Sequence, residues 1–367
     1  MIQLERLYNH GSIIVPIQFL QMTLPKHPDP DALSVKLRDF LAGEFWRCSA
    51  DKVTISRVQG GITNLLFKAH AEGVAEYPYV LARIFGEGGN LLIDRVRERI
   101  ITEQISRLGF GPRIAKSFDT GRLEEFFPDK ASIESDQMVQ LPFRPLVARR
   151  LAEMHSLSIE DDYSPGEAGI WRNLDDWLAL AEETTRPSAI PLQKLHEELV
   201  WATKMLKSIV SNGFDTFAAR KLAEVVFCHN DLLGGNILYS QTTGRLVFID
   251  FEYATYNYAA FDIANHFCAV PESALIARGK YSIGNLPSVE EQSAFLYEYL
   301  GVAEESREDL TEALDLVKAF SMLAELRWIV WAVVQAERSS VVFDYDNYAC
   351  ERFSNGYLQM KKAFSPV

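Results

Sequence analysis

The sequence predicts an α+β chain in two lobes, a β-rich N-terminal half and a mostly helical C-terminal half, with a cleft where they join. Three observations predict it. Short runs rich in β-branched and aromatic residues, parted by glycine and polar residues, crowd between Val53 and Phe127. Beyond Pro128, apolar residues recur at three- and four-residue spacing. Two strand-like runs interrupt that helical half, and each carries an acid at its end, the usual setting for a site at a junction of elements.

Residues 1–28 show no period and contain Pro25 and Pro28, so they read as an irregular lead-in. Asp29 or Asp31 can cap a helix whose apolar face is Leu33, Leu37, Phe40 and Leu41, ending near Gly43. Strands are expected at Val53–Ser56, Leu65–Ala69 and Tyr79–Ile84, then a helix from Ile93 to Leu108 stopped by Gly109–Pro112. Ile114–Phe118 and Arg122–Phe127 read as two more strands around Asp119-Thr120-Gly121. Helices are expected over Val147–Ser156, Leu174–Glu183, Leu192–Ile209 and, at length, Leu310–Glu337. The interrupting strands are Val225–Cys228 and Arg245–Ile249. The boundary falls after Phe127, giving an N-terminal lobe 1–127 and a C-terminal lobe 128–367.

Composition narrows the function. Thirty-seven basic residues against fifty acidic ones leave a formal charge of −13, which opposes binding to nucleic acid or to an anionic membrane surface. No span reaches membrane length, and the early run Ile13-Ile14-Val15-Pro16-Ile17 is short and broken by proline. Cys48, Cys228, Cys268 and Cys350 form no CxxC pair, which disfavours a zinc or redox motif and points to a reducing, cytoplasmic setting.

The chemistry is written in Phe227-Cys228-His229-Asn230-Asp231-Leu232-Leu233-Gly234-Gly235-Asn236 and in Asp250, fourteen residues on, within Val247-Phe248-Ile249-Asp250-Phe251-Glu252. A hydroxyl attacking a phosphorus needs a carboxylate to orient it and take its proton, the role open to Asp231. Asn236 and Asp250 offer hard oxygen ligands suited to Mg²⁺. Alone, Asp231 reads as a turn aspartate; its partners make the set a phosphoryl-transfer site with Asp231, Asn236 and Asp250 as catalytic residues. His229 is read as holding the loop, because that mechanism already has its base.

With those residues the chain resembles the choline/ethanolamine kinases, within the protein-kinase-like, aminoglycoside-phosphotransferase-like enzymes. The likeness covers about residues 50–360 and extends to Tyr256-Asn257-Tyr258, Phe261-Asp262-Ile263-Ala264-Asn265-His266-Phe267 and Leu326-Arg327-Trp328-Ile329-Val330-Trp331. Leu91-Leu92-Ile93-Asp94-Arg95 and Asn230-Asp231-Leu232-Leu233 look more like the ethanolamine branch. The resemblance implies a two-lobed protein-kinase-like fold and MgATP-dependent phosphorylation of ethanolamine or choline, the first step of phospholipid head-group synthesis, in the cytoplasm. It implies an ATP site in which Gly60, Gly61, Thr63 and Asn64 belong to a phosphate-covering hairpin, Arg83 meets phosphate, Glu98 orients Arg83, and Glu125 with Phe127 forms the adenine-facing connector. It also implies a homodimer as a family-level expectation.

For the acceptor, Trp328 and Trp331 share a helix face, Tyr253, Phe343, Tyr345 and Tyr348 supply further rings and Asp262 a charge; the resemblance implies that the tryptophan pair, Asp262 and Tyr348 line the amino-alcohol site. On sequence alone two tryptophans at this spacing read as core packing. One departure stands out: after His266-Phe267-Cys268 such kinases carry glutamate, and this chain has Ala269-Val270. Three outcomes stay open: weaker amine binding, another acid such as Glu272 in its place, or a different acceptor. Rival readings are an aminoglycoside, homoserine or thiosugar kinase, a weakly active scaffold, and a metal-dependent hydrolase built from His229, Asp231, Asp250 and His266.

Overall fold

The computed structural model describes residues 30–58, 64–85, 92–161, 166–303, 309–339 and 342–364. The expected lead-in over residues 1–28 and the hairpin residues Gly60, Gly61 and Thr63 lie outside them.

Helix α1 (Pro30–Phe40), continued by a wider turn over Leu41–Phe45, presents the expected face. Leu33, Leu37, Phe40 and Leu41 bury against Phe67, Val80, Ala82, Ile84 and Leu123 of one antiparallel sheet. That sheet runs β1 (Val53–Val58), β2 (Asn64–Ala71), β3 (Tyr79–Phe85), β5 (Gly121–Glu125), β4 (Ile114–Phe118). In the β3–β5 ladder Arg83 stands directly opposite Arg122, so both side chains leave the same face.

Helix α2 (Arg95–Arg107) is capped by Asp94, whose carboxylate accepts from the Val96 and Arg97 amides at 3.0 and 3.1 Å. Although α2 lies between sheet strands in sequence, its buried Ile101 and Ile105 join the larger, helical core with Leu151, Phe248 and Phe251. Arg97 fastens it there, bonding Asp161 through two nitrogens and the Ala254 carbonyl at 3.1 Å.

Past the connector, β6 (Lys130–Ser132), β8 (Ile237–Ser240) and β9 (Leu246–Phe248) form a small antiparallel sheet, and β7 (Val225–Cys228) pairs with β10 (Thr255–Tyr258). The helices foreseen from periodicity appear as α3 (Phe143–His155), α4 (Ile170–Glu182), α5 (Leu192–Asn212) and α9 (Thr311–Arg338). Helices α6 (Phe217–Leu222), α7 (Ala259–Arg278), α8 (Val289–Leu300), α10 (Tyr345–Glu351) and α11 (Leu358–Ala363) complete the half. α9 is the axle: α4, α5, α6, α7 and α10 all pack on it, and it is buried on every face over Ala319–Gln335.

Candidate active site

The catalytic loop leaves β7 at Cys228 and is held from behind by Asp262, in the first turn of α7. The His229 and Asn230 amides donate to the two Asp262 carboxylate oxygens at 2.7 Å each, and His155 Nε2 adds a contact at 3.0 Å. Burial alone would raise this carboxyl, but His155, His229 and the donated bonds outweigh it and hold it below the ordinary range. This corrects the expectation that Asp262 faces substrate: it has no exposed surface, and both oxygens are spent on the loop. Asn230 sits at a φ of 61°, a region that costs a side-chain-bearing residue. Its side chain donates to the Tyr253 carbonyl at 3.0 Å and accepts from Asn257 at 2.9 Å. Its carbonyl accepts from Asn265 and from Arg327 Nη1 at 3.2 and 3.1 Å.

Asp231 follows and lines the cleft. Asn236 Nδ2 donates to the Asp231 carbonyl at 2.8 Å and to its carboxylate at 3.2 Å. The short turn between them passes close under residues 133–135. A Cβ on Gly234 would lie 2.5 Å from the Ile133 carbonyl oxygen, so only glycine fits. The Ile249 amide donates to the Asn236 carbonyl at 3.0 Å, which sets Asp250 beside Asn236 at the ends of neighbouring strands. Asp250 also has a positive φ, 66°. Burial would raise its carboxyl, yet Arg83 and Arg122 hold it down and ionised. Asp231 is pushed well up, first by burial and then by the charges of Glu272 and Asp250.

These residues fit a hard divalent cation. With Nδ2 committed to Asp231, the Asn236 amide presents its oxygen, and the neighbouring Asp250 carboxylate is charged; both are ligand types that Mg²⁺ favours. The hydrolase alternative finds no such support. His229 Nε2 meets the Ile249 carbonyl at 2.9 Å and His266 Nδ1 the Leu232 carbonyl at 2.7 Å, so both imidazoles serve the backbone. Among the described residues the His/Cys/Asp/Glu cluster of metal-binding geometry is His155, Cys228 and Asp262, behind the loop.

On the sheet side, Arg83 is 3% exposed and reaches Asp250 at 3.1 Å and Glu124 at 3.5 Å. Glu98 does not pair with it, a correction to the expected Arg83–Glu98 contact. Arg122, opposite Arg83 in the ladder, takes one Glu98 oxygen at 2.6 Å, and Arg95 takes the other at 2.6 Å. Glu98 therefore acts on Arg83 only as a nearby charge. Asn64 lines the cleft and joins Arg95 and Glu252 at 3.2 and 3.4 Å. Glu125 and Phe127 line it too, with the Glu125 side chain on Arg113 at 3.1 Å.

At the far end of this cleft, of about 560 Å³, stand Tyr253, Trp328, Trp331, Phe343 and Tyr348. Trp328 and Trp331 meet edge to face at 5.6 Å, and their indole N–H groups donate to Asn265 at 2.7 Å and to the Tyr253 hydroxyl at 3.0 Å. Tyr345 departs from expectation: it lies behind the wall, packed on Trp331 and Phe343, its hydroxyl on Ser339 at 2.9 Å. Glu272 does line this end, while Ala269, one turn earlier on α7, is buried.

Motif reading missed Glu124, Glu252 and Arg327. Burial and then Asp250 push the Glu252 carboxyl up to about 7, and burial brings the Arg327 guanidinium down to about 10. Glu252 and Arg327 did stand in quoted motifs without being given a role; for Arg327 the further signal was a cation inside an apolar helix.

The sequence profile of the choline/ethanolamine kinases matches residues 55–357. Ethanolamine kinase 1 of Mus musculus is 32% identical over 327 residues, covering 84% of this chain and 84% of its own length. Probable choline kinase 2 of Arabidopsis thaliana is 29% identical over 313 residues, covering 82% and 84%. Among solved structures, the Plasmodium vivax ethanolamine kinase gives a TM-score of 0.75 at 22% identity and covers 92% of each chain. A putative aminoglycoside phosphotransferase from Ralstonia eutropha gives 0.51 at 16% identity, covering 91% and 98%. The fold is thus the α+β, protein-kinase-like one foreseen from the sequence, and no helix of the described residues is long and apolar enough to cross a membrane. By sequence profile and by relatives similar over most of its length, the chain belongs to the choline/ethanolamine kinase family.

Proposed function

We propose that this chain transfers the γ-phosphoryl group of ATP to the hydroxyl of ethanolamine or choline, with Mg²⁺ as the metal. The observation that carries the reading is one cleft holding Asp231, Asn236 and Asp250 between the Arg83 side and the aromatic end. ATP lies toward Asn64, Arg83, Glu125 and Phe127, on the lobe ending at residue 127. The amino alcohol lies toward Tyr253, Trp328, Trp331, Phe343 and Tyr348, on the lobe beginning at 128.

Asp231 orients the acceptor hydroxyl and takes its proton as the new O–P bond forms and the bond to the ADP oxygen breaks. Arg83 offsets phosphate charge. Asn236 and Asp250 hold the metal, which when bound neutralises charge on the phosphate oxygens. Asp262, through the His229 and Asn230 amides, keeps Asp231 in position. The four cysteines are free thiols, in keeping with a cytoplasmic enzyme, and a homodimer follows the family expectation.

The test is ADP release across a panel of acceptors, with and without magnesium. Ethanolamine- or choline-dependent, magnesium-dependent release is expected. Release driven instead by an aminoglycoside, homoserine or a thiosugar, or by no alcohol at all, overturns the assignment.

A further inference from the structure

Of the acids lining the cleft, Glu124, Glu125, Asp250 and Glu252 are paired with Arg83, Arg113 or Arg95, Asp231 stands on the catalytic loop, and Glu272 joins the aromatic wall through the Tyr348 hydroxyl. If the reading above holds, and this inference rests on it, Asp231 is engaged with the hydroxyl. The acceptor also carries a cation, and Glu272 is the charge left to meet it. Glu272 extends from the middle of α7 with 12% of its side chain exposed. One oxygen, Oε1, accepts from the Tyr348 hydroxyl and lies in an ion pair with Arg352 Nη2 at 2.9 Å. Arg352 has no exposed surface and is fixed in turn by Glu325 at 3.0 Å. The carboxylate is thus clamped through one oxygen, and Oε2 takes no partner among the described residues.

The rings at this end are poorly placed to do that work alone. The Arg327 guanidinium already lies 4.6 Å from the Trp328 ring centroid and 5.1 Å from that of Tyr253. A second cation brought to those rings is opposed by the first, which weakens cation–π holding.

We propose that Glu272, clamped by Tyr348 and Arg352, is the specificity-determining carboxylate of the acceptor site and sets a preference for primary over quaternary amino alcohols. A primary ammonium has three N–H donors for the open oxygen; a trimethylammonium has none and meets it only as a diffuse charge.

Steady-state kinetics of the full chain with ethanolamine and choline test this, alongside calorimetric binding of each amine. Wild type is expected to favour ethanolamine. Glu272→Gln keeps the volume and an oxygen for Arg352 and Tyr348. It is expected to raise the ethanolamine KM about ten- to a hundredfold, with a far smaller rise for choline, the loss expected for one charge-assisted hydrogen bond. Tyr348→Phe, which keeps the ring in the wall and removes the hydroxyl that holds Glu272, is expected to shift the ethanolamine-to-choline ratio in the same direction by less. A folded Glu272→Gln whose ratio is unchanged overturns the proposal, as does a wild type that prefers choline. If Glu272→Gln fails to fold, an unchanged ratio in Tyr348→Phe overturns it. Turnover of neither amine defeats the kinase assignment instead; ethanolamine binding that Glu272→Gln leaves intact, or no such binding by wild type, then defeats this proposal separately.

Discussion

Arg83 and Asp250, 167 residues apart, lie 3.1 Å from each other across the cleft, so the sheet's cation is tied directly to a proposed metal-binding carboxylate. The Arg83 fork also reaches Glu124. Lysine at 83 can serve one acid at a time. Arg83→Lys is expected to lower kcat/KM for ATP about ten- to a hundredfold, the loss of a bidentate charged contact. Arg83→Ala strands two acids and is expected to cost about 3–5 kcal/mol in urea unfolding. An alanine variant as stable as wild type removes the pair from any structural role.

Asp231→Asn keeps the shape and loses the proton acceptor. Turnover is expected to fall about 10²- to 10⁴-fold while MgATP still raises Tm. Turnover near wild type contradicts its role as base.

Asp262 separates two interpretations cleanly. As an anchor for the His229 and Asn230 amides, Asp262→Asn should cost about 3 kcal/mol and depress kcat, with the amine KM little changed. A variant of normal kcat and raised amine KM restores Asp262 to the substrate pocket.

His266 gives a pH dependence. It is fully buried, and burial brings its pKa down to about 4. The unfolded imidazole, at about 6.5, takes up a proton below that pH while the folded one does not. Stability therefore falls as pH drops from about 6.5 to about 4, by up to about 3 kcal/mol from this group. His266→Asn, whose amide nitrogen takes the place of Nδ1 toward the Leu232 carbonyl, is expected to flatten that slope in denaturant titrations at several pH values; an unchanged slope contradicts the assignment.

Gly234→Ala places a methyl group 2.5 Å from the Ile133 carbonyl and 2.6 Å from the Ser135 nitrogen. Relief requires moving the turn that carries Asn236. A loss of about 1–3 kcal/mol and a drop in turnover are expected, measured by unfolding and by ADP release.

The local grammar of the chain determined Asp231, Asn236 and Asp250 as a set, the five strands of the sheet and the face of α1. Each depends on near neighbours: an acid at a strand end, alternation along a strand, apolar residues on one helix face. Helix α7 was not resolved as an element because Phe261, Ile263, Ala264, Phe267 and Cys268 leave no polar stripe to reveal a period. The partners of long side chains were decided only by tertiary structure. Sheet register put Arg122 opposite Arg83 and gave Glu98 to Arg122; the approach of α7 to β7 turned Asp262 toward backbone amides; packing of α10 on α9 turned Tyr345 behind Trp331 and met Glu272 with Tyr348. Spacing fixes which residues share an element and a face, but a charged or aromatic side chain chooses its partner from segments that only folding brings together.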